Sequence, residues 1–100
     1  MAAINLNIEL ISNYFKTKPV SKVWLFGSFA RGEETSSSDV DLLVLFDEKT
    51  TVSLMTRAAM TIELEELLKR PVDLVREGTL YPQIIPFVDA DKILIYERAG

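Results

Sequence analysis

There is no cysteine and no histidine among the 100 residues. The first absence excludes disulfides and thiolate metal sites, and the second excludes imidazole as a ligand or as an acid–base catalyst. Any metal must therefore be held by oxygen, and hard oxygen ligands favour magnesium, with manganese as the second choice. No apolar run approaches the roughly 20 residues that span a bilayer. The start Met1-Ala2-Ala3-Ile4-Asn5 has neither a basic segment nor a following apolar block, so the expected location is the cytoplasm, with no membrane partner. Positive charge is short as well: 11 Lys and Arg stand against 15 Asp and Glu, a formal charge of -4. A grip on nucleic acid depends on neutralising several phosphates, so a nucleic-acid partner is disfavoured.

What is present reads as one folded domain over residues 1–100. Hydrophobic residues make up 48% and charged residues 26%, which is ordinary globular composition. Ile4, Ile8, Ile11 and Phe15 recur at helical spacing and predict a helix from Ile4 to about Lys16, stopped at Pro19. Val23-Trp24-Leu25-Phe26 does not alternate, the pattern of a central strand covered on both faces. Gly27-Ser28 breaks that strand, with Ser28 as the expected N-cap of a short turn through Phe29, Ala30 and Arg31. The polar segment Gly32 to Ser38 is expected to be a mobile reversing loop.

A second strand is predicted from Asp39 to Phe46, with Asp39, Asp41, Leu43 and Leu45 on one face and Val40, Leu42, Val44 and Phe46 on the other. A long helix should follow from about Thr51 to Lys69. It carries two apolar strips, Met55-Ala59-Ile62 and Met60-Leu64-Leu67-Leu68, so it should pack on the sheet and also meet something else, a partner chain or a second copy. Val72-Asp73-Leu74-Val75 reads as a short strand, Leu80 to Val88 as a short or kinked helix between Pro82 and Pro86, and Lys92 to Tyr96 as a final edge strand.

The chemistry concentrates in three places. Asp39 and Asp41 share one face of a strand, with alpha carbons roughly 6.5 Å apart, so their carboxylates can converge on one or two divalent ions. A Gly-Ser turn at the end of an apolar strand offers backbone N–H groups to an anion. Asp73 stands among aliphatics, either as a third carboxylate of the site or as a strand-end residue paired with Arg70 or Arg76. A phosphate cradle and a divalent-ion site joined by one short loop are what binding a metal-chelated nucleoside triphosphate requires.

The run Gly27-Ser28-Phe29-Ala30-Arg31-Gly32, then Ser38-Asp39-Val40-Asp41-Leu42-Leu43-Val44, then Val72-Asp73-Leu74-Val75, resembles the minimal nucleotidyltransferases of the DNA polymerase beta superfamily, the MNT domain. The similarity covers nearly the whole chain. It implies an α/β (α+β) fold, a small mixed sheet flanked by helices, and magnesium-dependent transfer of a nucleoside monophosphate from a triphosphate such as ATP, with two ions. Gly27 and Ser28 would hold the triphosphate. Asp39 and Asp41 would ligate the metals, and Asp73 would be the third catalytic carboxylate, near the attacking hydroxyl. Its aliphatic surroundings should raise its pKa until metal binds. Arg31 matches the family's Arg-Gly, either as a phosphate contact or as a structural ion pair.

Larger relatives carry a second domain that presents the acceptor, and a chain ending at Gly100 is expected to have no room for one. Small proteins of this pattern resemble the antitoxin halves of two-component systems whose partner is a helical HEPN-type ribonuclease toxin, where adenylylation of a toxin tyrosine is the implied reaction. Two competing readings are a non-catalytic module that neutralises a partner by docking, and a small-molecule nucleotidyltransferase resembling the antibiotic-modifying enzymes. A pure docking protein has no physical need for three clustered carboxylates.

Overall fold

The computed structural model describes residues 5–99. Its first helix, α1 (Ile8–Phe15), starts where Asn7 caps it, the Asn7 side chain accepting from the Leu10 N–H at 3.0 Å. The helix thus begins later than the apolar spacing suggests, because a capping side chain sets the start; Ile4 lies outside the described residues. Ile11 and Phe15, four apart, go into the core.

Four strands, β1 (Val20–Phe26), β2 (Val40–Phe46), β3 (Val72–Arg76) and β4 (Ile93–Glu97), form one sheet in the order β3-β2-β1-β4. β1 is antiparallel to both its neighbours, while β3 joins β2 in parallel. A parallel neighbour needs a crossover, and α3 (Leu54–Leu68) supplies it. The mixed, helix-flanked sheet is the expected fold class, with β1 interior and β4 at an edge.

Ile11 and Phe15 of α1 and Met60 and Leu64 of α3 pack with Val23, Leu25, Leu42, Val44 and Leu74 in one cluster on one face of the sheet. On β1 the opposite positions Lys22, Trp24 and Phe26 are only half-buried, so the unbroken apolar run is not covered on both sides as expected. The reason is that both long helices crowd onto the same face. On β2, Val40, Leu42 and Val44 are fully buried on one face, while on the other Asp41 and Leu45 are half-buried and Leu43 between them is buried. The strand begins at Val40, leaving Asp39 just ahead of it.

Ser53 caps α3, its hydroxyl accepting from Thr56 N–H at 3.0 Å, so this helix also starts a turn later than its apolar pattern. It ends at Leu68, with Lys69 in the left-handed conformation (φ 57°) ahead of Arg70 and Pro71. The strip of Met60 and Leu64 packs inward, while Met55 (85% exposed) and Ile62 (55%) face outward. Leu67, grouped by spacing with the inward strip, is in fact exposed. The last helix, α4 (Ile85–Asp91), lies further along the chain than the Leu80-to-Val88 expectation. Pro86 falls in its first turn, where a missing N–H costs nothing, and so it starts the helix instead of kinking it. Among the described residues no helix is long and apolar enough to cross a membrane.

Candidate active site

β1 ends at Phe26, and Gly27 turns the chain with φ 74° and ψ -155°, a conformation that only glycine adopts at low cost. The turn enters α2 (Ser28–Arg31), closed by Arg31 N–H donating to Gly27 O at 3.1 Å and by Gly32 in the left-handed conformation. Phe29, in the middle of this single turn, is buried and anchors it to the core. Ser28 is not the N-cap that the sequence suggests. Gly27 occupies the cap position without a side chain, and Ser28 is the first helical residue.

Register carries the rest of the geometry. Phe26 pairs with Asp41 across the antiparallel ladder, and Asp41 pairs with Asp73 across the parallel one. Asp41 therefore stands between the glycine turn and β3. A Cβ built on Gly27 would lie 2.2 Å from the Asp41 Oδ2 atom, so the absence of a side chain there is what lets the carboxylate approach the turn. Asp39, exposed, lies just before the strand that carries Asp41. Burial first, then the charges of Asp73 and Asp39, push the Asp41 carboxyl up from 3.8 to about 6, with Arg31 pulling the other way.

Two details depart from expectation. Asp73 is exposed on its edge strand and not enclosed by aliphatics; the desolvated carboxylate is Asp41, because β2 lies inside the sheet and β3 at its rim. Among the described residues Asp73 also forms no ion pair with Arg70 or Arg76. Asp41 and Asp73 share a register, and the charges of Asp39 and Asp73 both act on Asp41, yet no group of three acidic side chains among the described residues is drawn into a closed ligand set.

Arg31 is held by two carboxylates: its Nε donates to Glu33 Oε1 at 2.9 Å and its Nη1 to Asp91 Oδ2 at 2.8 Å. It thus ties α2 to the end of α4 while its charge still reaches Asp41. Sequence reasoning assigned nothing to Asp91. It also gave Arg70 no role beyond pairing with Asp73, whereas Arg70 Nη1 sits against the backbone oxygens of Thr35, Ser36 and Ser38 at 3.2, 3.4 and 3.0 Å. The loop expected to be mobile is tied down at these carbonyls, and Ser38 Oγ also accepts from Thr35 N–H at 2.8 Å. An arginine one residue before a proline at a strand start carries no local signal of such a partner.

The family profile described as polymerase beta, nucleotidyltransferase, matches residues 9–99. The chain belongs to that family. It is a nucleotidyltransferase by its domain and its relatives. A candidate protein adenylyltransferase from Methanocaldococcus jannaschii is 32% identical over 88 residues, which cover 87% of this chain and 85% of the relative. Among solved structures, a toxin-antitoxin crystallised with AMP-PNP aligns with a TM-score of 0.78 at 23% identity, covering 93% of this chain and 75% of that one. The complex of a tri-AMPylated Shewanella oneidensis HEPN toxin with its MNT antitoxin aligns with a TM-score of 0.64 at 19% identity, covering 92% and 74%. At these identities the two structures share the nucleotidyltransferase fold with this chain.

Proposed function

We propose that this chain is a one-domain, magnesium-dependent nucleotidyltransferase that moves AMP from ATP onto a hydroxyl of a partner protein, a HEPN-type toxin, and thereby acts as its antitoxin. The observation that carries the reading is the position of Asp41, opposite a glycine that leaves room for it and in register with Asp73. Support for the nucleotide and the partner comes from the adenylyltransferase relative and from the AMPylated toxin complex of the same fold.

The donor set fits a hard divalent cation: the nearby candidate ligands are all carboxylate oxygens, and the half-buried Asp41 carries more negative field than its own environment balances. Asp39, Asp41 and Asp73 would hold the magnesium, which when bound neutralises charge on the transferring phosphate and lowers the pKa of the acceptor hydroxyl. The Gly27-Ser28 turn receives the triphosphate, Gly27 adding no side chain of its own to the turn. The acceptor oxygen bonds to the α-phosphorus as the bond to the bridging oxygen of the β-phosphate breaks, and pyrophosphate leaves. Asp73, exposed at the rim where a partner can reach it, takes the proton from the attacking hydroxyl.

Incubation with ATP labelled at the α-phosphate, magnesium and the protein encoded by the adjacent reading frame tests the reading. Label should appear on the partner and vanish in Asp41→Asn. An unlabelled but still inhibited partner would overturn transfer and assign neutralisation by docking alone.

A further inference from the structure

We infer that Arg70 is a positioning residue for the divalent-cation site, holding Asp39 and the strand behind it that carries Asp41 against the strand that carries Asp73; the inference rests on the reading of these aspartates as metal ligands. One guanidinium touches the loop that leads to Asp39 and the short helix that follows Gly27. Its Nη1 donates among the carbonyls of Thr35, Ser36 and Ser38, in the loop that ends at Asp39. Its plane lies over the ring of Phe29, with the guanidinium carbon 4.9 Å from the ring centre, and Phe29 is the buried anchor of the turn after Gly27. Its own backbone precedes β3 by two residues, so Asp73 follows three positions later.

The surrounding backbone is stitched in the same sense. Arg70 N–H donates to Glu65 O at 3.3 Å, Val40 N–H donates to Pro71 O at 2.9 Å, and Val72 N–H donates to Glu65 Oε2 at 3.0 Å. Val40 lies between Asp39 and Asp41, and Val72 immediately precedes Asp73. The last turn of α3, the start of β2 and the start of β3 therefore meet at residues 70–72. The carboxylates repel one another, so they cannot supply this juncture themselves. Arg70 reinforces it through neutral carbonyls, without spending its charge on a carboxylate and so without neutralising any ligand. Lysine cannot replace it, because a point ammonium has neither the planar fork nor the face that stacks on Phe29.

The test counts Mn2+ bound to the isolated chain by the electron paramagnetic resonance signal of the free ion, with no nucleotide and no turnover. Wild type should bind, Asp41→Asn should not, and Arg70→Ala should bind about tenfold more weakly or worse, the size of effect seen when an outer partner of a metal ligand is lost. Arg70→Lys should recover only part of the affinity. Melting temperatures and circular dichroism, recorded on the same samples, separate a folding effect from a positioning effect. An Arg70→Ala chain that melts earlier but binds Mn2+ like wild type would overturn the inference. Should Arg70→Ala fail to fold, wild-type affinity in a folded Arg70→Lys would overturn it equally. Equal Mn2+ binding by wild type and Asp41→Asn would instead sink the aspartate site, and this inference with it, whatever Arg70 does.

Discussion

Gly27 and Asp41 face each other so closely that a methyl group on the glycine would sit 2.2 Å from a carboxylate oxygen. Gly27→Ala must therefore either displace Asp41 or open the turn, and it adds the strain of a side chain at φ 74°. We expect a stability loss of about 1–3 kcal/mol by urea denaturation together with loss of nucleotide transfer. Gly78 is the control, since its φ is 91° but nothing lies within 4 Å of an added Cβ. Gly78→Ala should cost stability and leave transfer intact.

The Asp41 carboxyl titrates near 6 when folded against 3.8 ordinarily. An acid whose folded pKa is raised binds its proton more tightly in the native state, so its ionisation costs stability. The cost is absent below the unfolded value, grows between the two, and is complete above the folded one. In EDTA, Asp41→Asn should therefore be more stable than wild type at about pH 7.5. The gain should reach about 1–2 kcal/mol once the half-exposed position is discounted for solvent screening. Denaturation curves should converge as the pH falls towards about 4. Wild type more stable than the variant at the higher pH would contradict the crowding of carboxylates.

Arg31 donates from Nε to Glu33 and from Nη1 to Asp91. Arg31→Ala should raise the KM for the triphosphate about tenfold if the side chain also serves phosphate, the scale of one charge-assisted contact. Asp91→Ala removes the acceptor of Nη1 and should lower that KM, with little change in melting temperature because the pair is solvent-exposed. A KM unmoved in both variants would leave Arg31 with the purely structural role of joining α2 to α4.

The two strips of α3 make opposite predictions. Leu64 is fully buried, and Leu64→Ala should cost about 2–5 kcal/mol. Ile62 is 55% exposed, and Ile62→Ser should stay within about 0.5 kcal/mol of wild type in the isolated chain. Chemical denaturation of both variants checks the assignment.

How much was legible beforehand follows from the range of each interaction. Strands were found because their apolar content is local, and Asp41 and Asp73 could be named because a charged residue inside an aliphatic run is conspicuous in one dimension. Helix starts were missed by a turn or so where Asn7 and Ser53 cap them, since apolar spacing extends past a cap that side-chain hydrogen bonding enforces. The burial of Asp41 in place of Asp73 depends on which strand is interior, a property of the whole sheet. Arg70 and Asp91 were invisible because their partners lie more than thirty and exactly sixty positions away, respectively.

The parallel pairing of β2 with β3 has a kinetic meaning. β1 and β2 form an antiparallel ladder that needs only the loop between them, so the glycine turn and the first two aspartates come together through short-range closure. Asp73 arrives only after α3 has crossed back and laid β3 along the rim. Long-range parallel pairing is the slow part of such a topology. Asp73 therefore joins the first two aspartates by a longer closure than the one that pairs β1 with β2, and an opening of α3 and β3 would separate it from them. A chain with β3 undocked keeps the glycine turn beside Asp41 but lacks Asp73, so under the proposed roles of these acids transfer waits for the rim strand.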